Sequence, residues 1–236
     1  MKLFVANWKM NLSIAQQLVL AKEFKKISTK SSYRIVVCPT FAALAPLQKL
    51  AAKGEIALGA QSCSPYHKGA HTGQVSAGEL YELSCSYVIV GHSEERAMHR
   101  LSEIYIFDQL MRVLENGMIP ILCIGETLEE KNAGATIAVL EKQLKLVCER
   151  IPKASLYIAY EPLWAIGTGK IPQAAELEEL IVRLKWMLPY CAFLYGGSVS
   201  ADTVQSLHSI AALSGFLVGH TSLDFQESKK IVVCKK

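Results

Sequence analysis

Tyr87-Val88-Ile89-Val90-Gly91-His92 is an apolar, β-branched run that closes on a polar side chain, and its pattern decides the fold because the chain repeats it. Seven comparable runs occupy residues 3–8, 34–39, 56–61, 119–124, 156–161, 192–196 and 215–219. Between them lie stretches with helical spacing of apolar residues, such as Ile14-Leu18-Ala21-Phe24-Ile27 and Ile137-Leu140-Leu144-Val147. Strands that alternate with helices pair in parallel, because each helix carries the chain back to the start of the next strand. The runs are apolar almost throughout, as expected for strands covered on both faces. Eight such units in this length predict an α/β fold: one (β/α)8 barrel domain over residues 1–236. An open doubly wound sheet is the second choice. It calls for a glycine-rich turn after the first strand, where the chain has Asn7-Trp8-Lys9-Met10-Asn11.

The ends of the runs carry the chemistry. Asn7 and Lys9 close run 1, His92 closes run 4, Glu126 follows run 5 and Glu161 closes run 6. Gly196-Gly197-Ser198 follow run 7, and Gly219 ends run 8. In a parallel barrel all of these fall on one rim, where barrel active sites are built. A lone histidine is usually structural, and a lone lysine or glutamate usually solvated. A lysine, a histidine and a glutamate ending three buried runs predict a catalytic set of Lys9, His92 and Glu161. Glycines after strands 7 and 8 let backbone N–H groups approach an anion, which predicts a phosphate site. After Glu161, the stretch Pro162-Leu163-Trp164-Ala165-Ile166-Gly167-Thr168-Gly169-Lys170 has a stiff end, an apolar middle and a flexible end, and reads as a lid.

Composition sets outer limits. Of 236 residues 51% are hydrophobic and 19% charged, which excludes a disordered or collagen-like chain. The 25 Lys+Arg and 21 Asp+Glu give +4, and the basic residues are scattered in short pairs such as Lys25-Lys26 and Lys235-Lys236, read as solvated surface. No basic stripe marks a nucleic-acid partner. Seven cysteines (38, 63, 85, 123, 148, 191, 234) without Cys-x-x-Cys point to reduced, mostly buried thiols, with no disulfide framework or zinc site. The apolar stretch at the start is too short for a signal-peptide core. Residues 203–223 lack charged side chains but include Gln205, His208, His220 and several serines, which argues against a membrane span. A soluble cytoplasmic protein is expected.

A carboxylate base, an imidazole, a fixed cation, a phosphate grip and a water-excluding lid fit proton abstraction beside a carbonyl. Five motifs carry a resemblance over the whole length: Asn7-Trp8-Lys9-Met10-Asn11, Gly91-His92-Ser93-Glu94, Cys123-Ile124-Gly125-Glu126, Tyr195-Gly196-Gly197-Ser198-Val199, and the block from Ala159 to Gly169. With these the chain resembles the triosephosphate isomerase family, itself a standard example of lid closure. The resemblance implies that Glu161 shuttles a proton between C1 and C2 of glyceraldehyde 3-phosphate and dihydroxyacetone phosphate, in glycolysis and gluconeogenesis. It implies His92 as a neutral electrophile at the start of a helix near Ser93, Lys9 as fixed positive charge, Asn7 as an orienting group and Glu94 as a structural or relay carboxylate. Backbone N–H groups of Gly167, Ser198, Gly219 and His220 would hold the phosphate, and Pro162, Trp164, Ile166, Thr168 and Gly169 belong to the lid. No cofactor or metal is implied.

Three departures from the family pattern stand out. His220 replaces a usual glycine; the expectation is that its N–H stays on the phosphate and that its side chain makes affinity mildly pH-dependent. The resemblance also implies a homodimer, with Thr72 at the tip of a loop that enters the partner and Met10 as its counterpart. Gln74 and Glu95 stand where the family commonly pairs an acid with an arginine across that interface, so a hydrogen bond replaces the ion pair and a salt-tolerant dimer is expected. Third, the link from Leu188 to Ala192 is short and belongs to the far rim. The competing readings are another phosphate-binding barrel isomerase or epimerase, and an inactive barrel serving as an interaction protein. The first would lack the lid block. The second would have decayed at Lys9, His92 or Glu161.

Overall fold

The computed structural model describes residues 2–233; Cys234, the Lys235-Lys236 pair and the two extreme ends of the expected 1–236 domain lie outside the described residues. Eight parallel strands close into a barrel in sequence order. They are β1 (Lys2–Asn7), β2 (Tyr33–Cys38), β3 (Ala57–Ala60), β4 (Cys85–Val90), β5 (Ile119–Ile124), β6 (Tyr157–Tyr160), β7 (Ala192–Tyr195) and β8 (Gly215–Val218). The surrounding helices are α1 (Ile14–Ser28), α2 (Phe41–Ala51), α3 (Ala77–Glu82), α4 (Ser93–His99), α5 (Glu103–Glu115), α6 (Leu128–Asn132), α7 (Thr136–Arg150), α8 (Ala174–Met187), α9 (Val204–His208) and α10 (Phe225–Val232). Closure rules out the open sheet.

Each expected run meets its strand to within two residues at either end. The polar ends lie just past the regular ladder yet stay tied to it: Glu161 N–H donates to Ile124 O at 2.7 Å and Gly196 N–H to Tyr160 O at 2.8 Å. Alternate strand residues face opposite layers. Leu3, Val5, Val36, Ile89, Ile121 and Leu217 pack with one another inside the barrel, while Phe4, Ile35, Val88, Leu122 and Phe216 pack against the helices. Both sets are apolar because both faces are dry, which is why the runs do not alternate in polarity. The seam between β8 and β1 pairs Gly215 with Leu3. A Cβ on Gly215, whose φ is 146°, would sit 1.9 Å from Leu3 O, so the barrel closes there only on glycine.

Helix starts follow the sequence. Ser13, Ser76 and Thr127 each form a reciprocal capping box at the start of α1, α3 and α6, satisfying backbone donors that would otherwise lack partners. Phe24 of α1 lies 6.0 Å from Phe4, 6.4 Å from Trp8 and 6.1 Å from Phe225 of α10, ring centre to ring centre. It joins the first strand to the last helix, and replacing such a buried ring by Ala costs about 3–5 kcal/mol.

Two surface expectations are refined. Lys26 is exposed, but Lys25 is half-buried and pairs with Glu55 at 2.7 Å, so only one of the pair is solvated surface. Among the described residues the cysteines are free; Cys148 is half-buried and the other five are buried, with burial pushing the Cys63 and Cys85 thiols up to about 12. No helix of the described residues is long and apolar enough to cross a membrane. The 188–191 link lies at the N-terminal ends of the strands, opposite the rim described next.

Candidate active site

β1 delivers Asn7 and then Lys9 to the C-terminal rim. Lys9 takes a left-handed backbone (φ 50°), which costs a non-glycine residue about 1–2 kcal/mol. Three bonds hold that turn: Lys9 N–H to Asn7 Oδ1 at 3.2 Å, Asn11 Nδ2 to Trp8 O at 2.9 Å and Gln61 Nε2 to Lys9 O at 2.9 Å. The Lys9 ammonium pairs with Glu94 Oε1 at 2.6 Å.

His92 caps α4. Its Nδ1 accepts the backbone N–H of Glu94 at 3.2 Å. That bond puts a lone pair on Nδ1 and leaves the ring proton on Nε2. Nε2 lies 3.4 Å from Glu161 Oε1. Glu161 is 3% exposed, and its second oxygen, Oε2, has no hydrogen bond. Buried carboxylate oxygens are almost always partnered, and Glu161 lines the cavity described next. Gly196 makes room for it: a Cβ there would meet Glu161 Cγ at 2.6 Å. Burial, and then the Glu161 carboxylate beside it, push the Cys123 thiol far above its usual range.

These groups share one cavity of about 290 Å³, lined by Asn7, Lys9, His92 and Glu161 together with Gly167, Ser198, Gly219 and His220. Ile166 and Gly169 of the lid also line it. Glu126 does not; it is buried beneath the lid. Its Oε1 accepts Tyr160 OH at 3.1 Å and Trp164 Nε1 at 2.9 Å, and the Lys131 ammonium lies 3.4 Å from the centre of the Trp164 ring. At the lid's other end Ser198 Oγ donates to Ala165 O at 2.6 Å and accepts Gly169 N–H at 3.1 Å. Thr168 Oγ1 closes the lid on itself by donating to Trp164 O at 3.2 Å, and Pro162 leads into a 3-10 turn over Leu163–Ala165. The loop after β6 is therefore hydrogen-bonded through Trp164 near one end and through Ala165 and Gly169 towards the other. Among the described residues no cluster of three or more His, Cys, Asp or Glu side chains forms a metal-binding set.

A family model for triosephosphate isomerase matches residues 2–235. The chain belongs to the triosephosphate isomerase family. It is similar to the triosephosphate isomerase of Cupriavidus necator, 37% identical over 233 residues that cover 94% of both chains. It is also similar to those of a Wolbachia from Brugia malayi (38% over 231 residues, 98% of this chain and 96% of the other) and of Hahella chejuensis (38% over 240 residues, 98% and 97%). Membership makes the chain an enzyme of the isomerase class.

None of the residues expected at the family's subunit contact is buried within the chain. Met10 is 92% exposed and Thr72 is exposed at a loop tip where Tyr66 and His71 stack with ring centres 3.9 Å apart. Gln74 and Glu95 line a common groove of about 550 Å³. They do not bond to each other within the chain: Gln74 accepts from Ser64 Oγ and donates to Tyr105 OH at 3.4 Å, while Glu95 accepts from Ser62 Oγ. Sequence reasoning missed the contacts of Glu126 and Lys131 with Trp164. The only available signal was the Glu126 carboxylate after run 5, and nothing in the linear order names Trp164 as its partner.

Proposed function

We propose that this chain interconverts glyceraldehyde 3-phosphate and dihydroxyacetone phosphate, with Glu161 as the base that moves the proton. The supporting observation is the buried Glu161 carboxylate, one oxygen unpartnered, beside His92 Nε2 in a cavity that also holds Lys9. Glu161 takes a proton from the carbon next to the carbonyl, and the C–H electron pair forms the C=C bond of an enediolate. The carbonyl oxygen takes the negative charge, which the Nε2–H of His92 and the Lys9 ammonium stabilise. The hydroxyl proton on the carbon that lost its hydrogen then passes to the former carbonyl oxygen, and Glu161 returns its proton to the former carbonyl carbon, so that a carbonyl forms on the neighbouring carbon with no net gain or loss of atoms. Asn7 holds the turn that aims Lys9, and Glu94 fixes its ammonium. Backbone N–H groups of Gly167, Ser198, Gly219 and His220 hold the phosphate, and the lid of Pro162, Trp164, Ile166, Thr168 and Gly169 keeps water from the enediolate.

The test is turnover coupled to a dehydrogenase that consumes one of the two triose phosphates. Activity in the parent and its loss in Glu161→Gln support the assignment; a folded parent without turnover sinks it. Residues 1–236 act as one catalytic domain on this reading, working in the cytoplasm in glycolysis and gluconeogenesis. It also takes the chain as a homodimer, with Met10, Thr72, Gln74 and Glu95 at the contact.

A further inference from the structure

We propose that Thr221 is a positioning residue for the phosphate group: its hydroxyl ties the turn after β8 to the turn after β7 and so sets the spacing of the backbone N–H groups that meet the dianion. The inference rests on the isomerase reading and adds a residue to its ligand site. Ser198 and Gly219, which supply two of the proposed phosphate donors, belong to separate turns that follow different strands. Thr221 Oγ1 donates to Val199 O at 2.7 Å. Among the described residues no other hydrogen bond joins 197–203 to 219–224, although both segments line the same cavity, Val199 and Thr221 included.

Each turn is stiffened from within by hydroxyls of its own. Thr203 Oγ1 donates to Ser198 O at 3.1 Å, and the fully buried Ser222 donates to Gly219 O at 2.6 Å. Ser228 of α10 donates to Thr221 O at 3.1 Å and braces the tether from behind. These bonds leave the distance between the turns open, and the Thr221 bond is the one that spans it. Its reach extends to the loop after β6, because Val199 follows Ser198, whose hydroxyl donates to Ala165 O and accepts Gly169 N–H. A dianion held by N–H groups from two turns is gripped well only when their separation matches it, since hydrogen bonds weaken outside a narrow range of distance and angle. A methyl group needs about 3.3 Å from a carbonyl oxygen, so Thr221→Val pushes the turns apart by about 0.6 Å. It also leaves the carbonyl of the buried Val199 without this donor, and one such bond is worth about two- to tenfold in an equilibrium.

The test compares the parent with Thr221→Val and with Thr221→Ser, which keeps the hydroxyl. Sulfate is a dianion without a reacting carbon, and its dissociation constant is read from the backbone amide resonances by NMR, so this arm needs no turnover. Thr221→Val should weaken sulfate binding by about three- to tenfold, and Thr221→Ser should stay within about twofold of the parent. In the isomerase assay kcat/KM for the triose phosphate should fall in Thr221→Val by at least the factor lost for sulfate. For glyceraldehyde, which lacks the phosphate, kcat/KM should stay within about twofold, because the tether acts through the part of the substrate that does not react. Unchanged sulfate affinity in Thr221→Val, an equal loss with glyceraldehyde, or a loss that Thr221→Ser shares overturns the proposal. Sulfate that leaves the Ser198 and Gly219 amides of the parent unmoved overturns it as well. Where Thr221→Val does not fold, Thr221→Ala, which removes the hydroxyl without pressing on Val199 O, should show the same pattern. A parent that binds sulfate but does not turn over triose phosphate refutes the isomerase reading and leaves the sulfate comparison standing, so the two failures are distinguishable.

Discussion

Gly196→Ala tests how tightly the position of Glu161 is specified. The backbone at Gly196 is outside the positive-φ region, so Ala is conformationally acceptable there. The new methyl, however, would lie 2.6 Å from Glu161 Cγ, 3.1 Å from Oε1 and 3.3 Å from Cδ. Restoring an ordinary contact of 3.4 Å requires the side chain to retreat by about 0.8 Å. It has little room to do so, being buried, with His92 Nε2 3.4 Å from its carboxylate. A misplacement near 1 Å at a reacting group costs about 10²-fold in rate. The fold should survive: overpacking costs about 1–3 kcal/mol and Gly→Ala returns about 0.4–1 kcal/mol by restricting the unfolded chain. The coupled assay should therefore show kcat down by about 10²-fold, with a cooperative thermal transition retained and sulfate inhibition little altered. If kcat stays within about threefold of the parent in a folded protein, the position of this carboxylate does not limit the chemistry and the reasoning is wrong.

Glu161→Gln should lower kcat by about 10²–10⁴-fold, the usual worth of a positioned base, while KM changes far less; a loss confined to KM in the coupled assay contradicts the assigned role. Lys131→Met removes the cation above Trp164, an interaction worth about 0.5–1 kcal/mol at an exposed site, and should loosen the lid enough to raise KM by about two- to fivefold. Unchanged kinetics would mean that the lid does not depend on that contact. Burial, and secondarily the Lys2 ammonium, hold the His208 imidazole below its usual value, beside Tyr33 OH and Phe216. The unfolded state therefore binds the extra proton first, so folding stability should be fully present above about pH 6.5 and decline below it. Urea midpoints measured across that window should flatten in His208→Gln, and an unchanged slope counts against the assignment. A sedimentation experiment at micromolar protein should give a dimer that persists in about 1 M salt, where the Debye length is about 3 Å; a monomer at low salt ends the homodimer proposal.

The barrel was legible in the sequence because its cause is local. A strand covered on both faces must be apolar along its whole length, so each run and its polar terminus can be recognised without knowing its neighbours. Asn7, Lys9, His92 and Glu161 stood at the ends of runs for the same reason, and parallel closure was enough to bring them to one rim. What tertiary structure alone decided depends on distances between residues remote in the chain. The Nδ1 bond that sets the His92 proton, the left-handed turn at Lys9, the space Gly196 leaves for Glu161 and the Glu126–Trp164 fastening are of this kind. Gln74 and Glu95 show the same division: their residue types could be read, but their partners within the chain, Ser64, Tyr105 and Ser62, could not. Hydrophobic burial is non-directional and leaves its period in the linear sequence; a hydrogen bond or a steric gap is fixed to a few tenths of an ångström and exists only once the chain has closed.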